Sequence, residues 1–235
     1  MEYETILARK SAEKIGSIRL NRPDRRNALS IRTRREISDC LSSWIDDPDV
    51  GVVIFSGEGG LFSAGFDLKE FGPELMKDVY LSSSKYHRDV WTFPKPTIAA
   101  VEKMALGGAF DLATLCDIRI CSQSSQFGHP EIKFGAPPLF TPLRWIAGSG
   151  AARELCLTGR KFGADEAYRL GLVSEVVEDG CAFDRACEIA AVILEAPLAT
   201  LVTTKRYMTE DSDLGFEESF VNEHDKPFEA VLPTE

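Results

Sequence analysis

Alternating apolar and polar positions open the chain: TILARK, a polar turn SAEK and then IGSIRL predict a β-hairpin over residues 4–20. From Ser30 the period lengthens. Ile37, Leu41, Trp44 and Ile45 fall on one face at helical spacing, Ser30 can cap that helix, and Pro48 in DDPD ends it. A β-branched run, VVIFSG at 52–57, predicts a buried strand and leads into a loop rich in glycine and serine. A second helix is expected over about 74–93, followed by another buried strand in KPTIAAV. The run KMALGGAFDLATLCD (103–117) is almost wholly apolar and reads as buried helix, with DIRICS the next strand and a Pro- and Gly-rich loop over 128–142. After residue 143 the pattern turns helical, in AARELCLTG, ADEAYRLGLV, FDRACEIAAVILEA and LATLVTTKRYMTE, with one short strand, SEVVE, among them. Strands alternating with helices predict an α/β core, and the helical tail is expected to serve packing or assembly.

Composition narrows the classes this fold could serve. At 235 residues the chain suffices for one large domain, or a domain with an appendage. A formal net charge of −10 argues against non-specific nucleic-acid binding, which needs a broad basic face. It leaves room for an anionic small molecule, and NRPDRR at 21–26 is the densest basic cluster. No apolar run is long enough to span a bilayer, and the start, polar from its second residue, does not read as a signal peptide; a cytoplasmic location with no membrane partner is expected. Cys40, Cys116, Cys121, Cys156, Cys181 and Cys187 form no CxxC pair and are expected as reduced, small core residues. His87, His129 and His224 show no metal-site spacing, so no metal is expected.

Three stretches carry candidate chemistry. If a helix starts near Gly107, its first N–H groups lack intrahelical partners, and the glycines let another molecule approach them. Such an end favours negative charge, and Asp111 lies on the same helical face as Gly108. Tight helix packing around a buried acceptor explains the same residues equally well. In FSAGFDL (62–68) a glycine turn could expose another N–H, or could be a strand exit with Asp67 capping the next turn. In FGHPEIKFG (127–135) Glu131 follows Pro130 after a short strand, held at a pocket wall or simply on the surface. His129 is expected to point elsewhere.

Taken together, NRPDRRNALS, FSAGFDL, KPTIAAVEKMALGGAFDLATLCDIRIC, FGHPEIKFG and LTGRKFGADEAYRLGLVSEVV resemble the crotonase superfamily, the enoyl-CoA hydratase/isomerase family, in its order and spacing over most of the chain. The resemblance implies a spiral of repeated ββα units at 1–180, carrying the CoA and acyl site, and a helical region at 181–235 used to assemble a trimer or a dimer of trimers. It places the two oxyanion-hole amides on Phe66 and Gly108 and the two catalytic carboxylates on Asp111 and Glu131. Arg26 and Ala28, with the backbone of Ala64, Gly65, Asp67 and Leu68, would line the coenzyme A site, and Gly107, Pro130 and Leu139 belong to the substrate surface. The substrate is an acyl-CoA thioester, and no cofactor is implied.

The departures bear on which reaction is run. Asp111 stands where the hydratases carry glutamate, which sets its carboxyl about 1–1.5 Å further back. Ala109 replaces the third glycine of the usual triplet, and Leu139 occupies a position that is glycine in a water-admitting loop. The expected activity is 2-enoyl-CoA hydration. An enoyl- or dienoyl-CoA double-bond isomerase is the first alternative, favoured by Asp111 although Leu139 lacks that branch's further acid; a non-catalytic CoA-binding member is the second. Tyr80, Tyr86 and His87 are expected along the acyl pocket or in the core. Lys205 and Arg206 are expected on a solvated helix face, or else at a neighbour's coenzyme phosphates. EESFVNEHDKPFEAVLPTE is expected as a surface helix and frayed tail.

Overall fold

A computed structural model describes residues 2–210. The hairpin forms as expected from β1 (Ile6–Lys10) and β2 (Ile15–Leu20), and Ser30 caps α1 (Ile31–Trp44) by accepting the Thr33 N–H at 3.1 Å. Ile37, Leu41 and Trp44 are buried at i, i+4 and i+7, whereas Ile45 sits past the end of the helix and is exposed. Then come β3 (Val52–Gly57), α2 (Met76–Trp91), β4 (Thr97–Val101), β5 (Met104–Leu106) and α3 (Gly108–Leu115). The chain continues through β6 (Ile118–Ser122), β7 (Gln126–Gly128), α4 (Phe140–Thr158), β8 (Phe162–Gly163), α5 (Ala164–Arg169), β9 (Glu175–Val177), α6 (Ala182–Ile193) and α7 (Leu198–Glu210). The predicted 128–142 loop holds a 3-10 turn, Pro130–Phe134, and the first three residues of α4. His224 and the acidic C-terminal stretch lie outside the described residues.

Six strands form one sheet in the order β1-β2-β3-β4-β6-β9, parallel throughout except for the β1–β2 hairpin. Its central strands are buried on both faces, which is why VVIFSG and TIAAV carry no polar alternation. The main core packs α1, α2 and α3 against one face; on the other, Ala182, Ala186 and Ala190 of α6 lie on Val52, Ile54, Ile98 and Ile120. A second sheet, β5-β7-β8, branches off because β4 and β6 are each followed at once by a short strand that leaves the main sheet. That pairing organises the site. β5 and β7 run parallel with Leu106 opposite Gly128, so both chains leave the small sheet at the same edge.

Lys205 corrects the expectation of a solvated face. It is buried, paired with Asp117 at 2.8 Å, and donates to the Lys95 carbonyl at 2.9 Å, which pins α7 to the start of β4. Lys205→Met would strand a part-buried Asp117 whose other partners are the Thr97 N–H and hydroxyl. The expected cost is about 2–3 kcal/mol, a fall in Tm of about 5–10 °C by calorimetry. An unchanged Tm would mean the pair contributes nothing.

Cys40, Cys116, Cys121 and Cys156 are buried free thiols and the half-buried Cys187 packs against the core, while Cys181 is exposed at the head of α6, so the core role expected of all six fails at Cys181. Among the described residues no single helix is long and apolar enough to cross a membrane.

Candidate active site

The register of β5 and β7 sets the site from both sides. Beyond β5 the chain turns at Gly107, whose φ of 53° is left-handed, and its N–H donates to the Gly128 carbonyl at 2.9 Å. α3 then starts with the Phe110 and Asp111 N–H groups both closing on the Gly107 carbonyl. Beyond β7, His129 leads into the Pro130 turn and carries Glu131 back over the same edge. A Cβ added at Gly107 would stand 3.0 Å from Glu131 Oε2. The carboxyl group of Glu131 therefore rests directly on the glycine that opens the helix.

The Gly108 N–H, the first of α3, has no acceptor among the described residues, and neither has the N–H of Phe66. The two strands of chain that carry them lie side by side. A Cβ built on Gly65, whose φ is 101°, would sit 2.5 Å from the Leu106 carbonyl oxygen and 3.6 Å from the Gly108 nitrogen. Ser63 fixes the turn by donating its hydroxyl to the Asn27 carbonyl at 2.7 Å and accepting the Gly65 N–H at 3.1 Å. The Phe66 ring lies over Gly108, backed by the buried Arg34 guanidinium 4.4 Å from its centroid, and the Tyr86 hydroxyl donates to the Gly108 carbonyl at 3.1 Å. Tyr86 belongs to the core, whereas Tyr80 is exposed. Burial, reinforced by the nearby Arg34 charge, lowers the His87 pKa to about 4.

The residues assigned to the coenzyme site also converge. The Arg26 carbonyl accepts the Ala64 N–H at 3.0 Å, and Leu29 brackets Phe66 by bonds to Gly65 and Asp67, so residues 26–29 and 64–68 form one surface beside the paired amides. Ala28 lies half-buried on it, and Arg26 and Leu68 are exposed. Asp67 caps the following turn through the Lys69 N–H, as one of its two expected roles required, and its carboxylate also takes a 2.9 Å ion pair from Arg22. Arg22, Asn27, Ser63 and Arg34 act on this surface from underneath. Sequence reasoning missed them because each works through a contact set by the fold rather than by a motif.

Asp111 is 6% exposed, and burial pushes its carboxyl up to about 7; Glu131 adds to the rise, while His129 and the Leu139 N–H oppose it. Leu139 is half-buried immediately before the first turn of α4. His129 overturns the expectation that it points elsewhere. It is 1% exposed, packs on Phe110 with ring centroids 4.7 Å apart, and places Nδ1 2.8 Å from Glu131 Oε1 and 3.8 Å from Asp111 Oδ1. Asp111 Oδ1, Glu131 Oε2 and His129 Nε2 have no hydrogen-bond partner among the described residues, although all three are buried. The three side chains offer ligand atoms within 4.8 Å of one another.

The raised Asp111 pKa has a measurable consequence. The folded chain holds that proton to about pH 7, whereas the reference value is 3.8. Stability from this group is therefore complete below the lower value, declines as pH rises, and levels off above the higher one, an ionisation cost of roughly 4 kcal/mol. Asp111→Asn is expected to stabilise the protein by about 3 kcal/mol at pH 8 and by clearly less at pH 5. Urea denaturation at the two pH values checks this, and an equal effect at both would contradict it.

A branched parallel sheet that brings a glycine-opened helix and two carboxyls to one buried edge defines a crotonase-fold protein. The chain belongs to the enoyl-CoA hydratase/isomerase family, whose sequence model matches residues 10–229, and it is an enzyme of that family. It is 39% identical over 184 residues to a probable enoyl-CoA hydratase of Mycobacterium tuberculosis, covering 75% of this chain and 70% of that one. The enoyl-CoA hydratase of Bacillus anthracis superposes with a TM-score of 0.91 at 29% identity, over 99% of this chain and 92% of that one. A putative enoyl-CoA hydratase from Thermobifida fusca, solved in complex with CoA, gives 0.86 at 28% identity, over 97% and 93%.

Proposed function

We propose that the protein hydrates a 2-enoyl-CoA thioester. The observation that carries this reading is the meeting of two acceptor-free N–H groups, Phe66 and Gly108, with two buried carboxyls, Asp111 and Glu131, at one edge of the small sheet. Adding water across the conjugated double bond moves charge onto the thioester oxygen. Two fixed donors in a water-poor site would stabilise that charge by several kcal/mol. Burial keeps a proton on the Asp111 carboxyl up to about pH 7. Asp111, with its raised pKa, supplies the proton to the α-carbon, and Glu131 takes one from the water that attacks the β-carbon. The pair gives one proton and receives one, so the reaction is balanced without a cofactor. The surface of residues 26–28 and 64–68, with Pro130 and Leu139 flanking the acyl end, would hold the CoA thioester in place. Assembly as a trimer or a dimer of trimers belongs to the same reading.

The test is the enoyl-thioester absorbance of crotonyl-CoA, which should fall on adding enzyme. No change with short, long or branched 2-enoyl-CoAs would overturn hydration. Leu139 favours one second reading: with a leucine beside Asp111 the same groups could shuttle a proton between C2 and C4 of a 3-enoyl-CoA. Gain of conjugated absorbance from that substrate, without 3-hydroxyacyl product, would select isomerisation.

A further inference from the structure

We propose that His129 is a positioning residue for Glu131, donating its Nδ1–H to Oε1 and thereby aiming the other carboxylate oxygen, Oε2, at the substrate side of Gly107. This rests on the thioester-hydrating reading of the site and adds to it a third side chain that acts through the second. The tautomer follows from what surrounds the ring. His129 is buried against Phe110, and Nε2 has no partner. With the proton on Nε2, a buried N–H donor would go unpaired beside aromatic rings, and Glu131 would have to donate in order to meet Nδ1. With the proton on Nδ1, the 2.8 Å contact becomes a charge-assisted bond to a carboxylate, and only an acceptor lone pair is left over.

The consequence is geometric. Glu131 stands on a one-turn 3-10 segment, which on its own leaves a three-torsion side chain free to rotate. Its Oε2 has no partner among the described residues, so the bond from His129 holds the carboxylate over Gly107, where a Cβ would come within 3.0 Å of it. Asp111 Oδ1, 3.8 Å from the same nitrogen, is too far to share the proton. One ring therefore serves one of the two carboxyls, fixing the base while leaving the acid free to exchange its proton.

Two substitutions separate the bond from the packing. His129→Asn keeps a donor on Cγ where Nδ1 stands but removes the ring; His129→Phe keeps the ring on Phe110 but removes the donor. If His129 positions Glu131, the Phe variant loses about 10–100-fold in kcat with KM within about threefold, while the Asn variant stays within about fivefold of the parent kcat. A purely structural role gives the opposite order, with Asn the poorer enzyme, and would overturn the proposal; so would equal losses in both. Crystal structures of the two variants supply a readout independent of turnover. Glu131 should swing off Gly107 in the Phe variant and hold its place in the Asn variant. If that swing is seen in a protein that hydrates no enoyl-CoA, positioning stands and the hydratase reading falls. If Glu131 stays put in the Phe variant of an active hydratase, the hydratase reading stands and positioning falls.

Discussion

Glu131→Gln is expected to lower kcat for hydration of a short 2-enoyl-CoA by about a thousandfold, with KM within about threefold. Glutamine has the same shape as glutamate, and its carbonyl oxygen can still accept the His129 Nδ1–H now bound at 2.8 Å. The substitution therefore keeps the group over Gly107 and removes only its capacity to take a proton. A loss confined to kcat follows, because a group that acts on the attacking water contributes in the transition state and little to holding CoA. Steady-state kinetics on crotonyl-CoA decide the matter. Retention of a tenth of the parent kcat would remove Glu131 from proton transfer. The contrast with Asp111→Asn sharpens the assignment: both should lose activity, but only the Asp111 change should gain stability at high pH, since burial raises the pKa of that carboxyl.

What could be read from the sequence divides along the length scale of the interactions. α1 and the central strands β3 and β4 announce themselves, because burial of a face or of a whole strand imposes a period of its own on the residues. The small sheet does not. β5, β7 and β8 have three, three and two residues, too short for alternation, and β5 vanishes into the apolar run that continues as α3. Yet that sheet decides the chemistry. Asp111 and Glu131 were accessible through the family resemblance, whereas His129 was misread. A histidine before Pro-Glu has no local feature aiming it inward. It turns in because Leu106 pairs with Gly128, bringing the helix start and the Pro130 turn to the same edge, where Phe110 supplies a face to pack on. Lys205 failed for the same reason: its partner Asp117 stands just before β6, far away in the chain, and no spacing along α7 marks it.

Gly108→Ala should reduce kcat/KM by about 100–1000-fold, the loss that follows when one donor to a developing oxyanion is displaced. The reason is steric. Gly108 lies in the first turn of α3, where alanine is conformationally welcome, so the helix itself has no objection to the change. Its Cβ, however, would run into the Phe66 ring. That ring is held from behind by Arg34, whose guanidinium is fixed in turn by the Leu29 carbonyl at 2.6 Å and the Ser82 hydroxyl at 3.0 Å. With no room behind it, the ring can yield only by moving the Phe66 backbone, and with it the second N–H of the pair. One methyl group thus disturbs both donors. Removing the ring should undo part of the damage: Gly108→Ala combined with Phe66→Ala is expected to recover at least about tenfold over Gly108→Ala alone, a coupling measurable as a double-mutant cycle. Full activity in Gly108→Ala would dissolve the donor pair, while a loss that Phe66→Ala leaves untouched would place the fault in the helix start rather than in the ring.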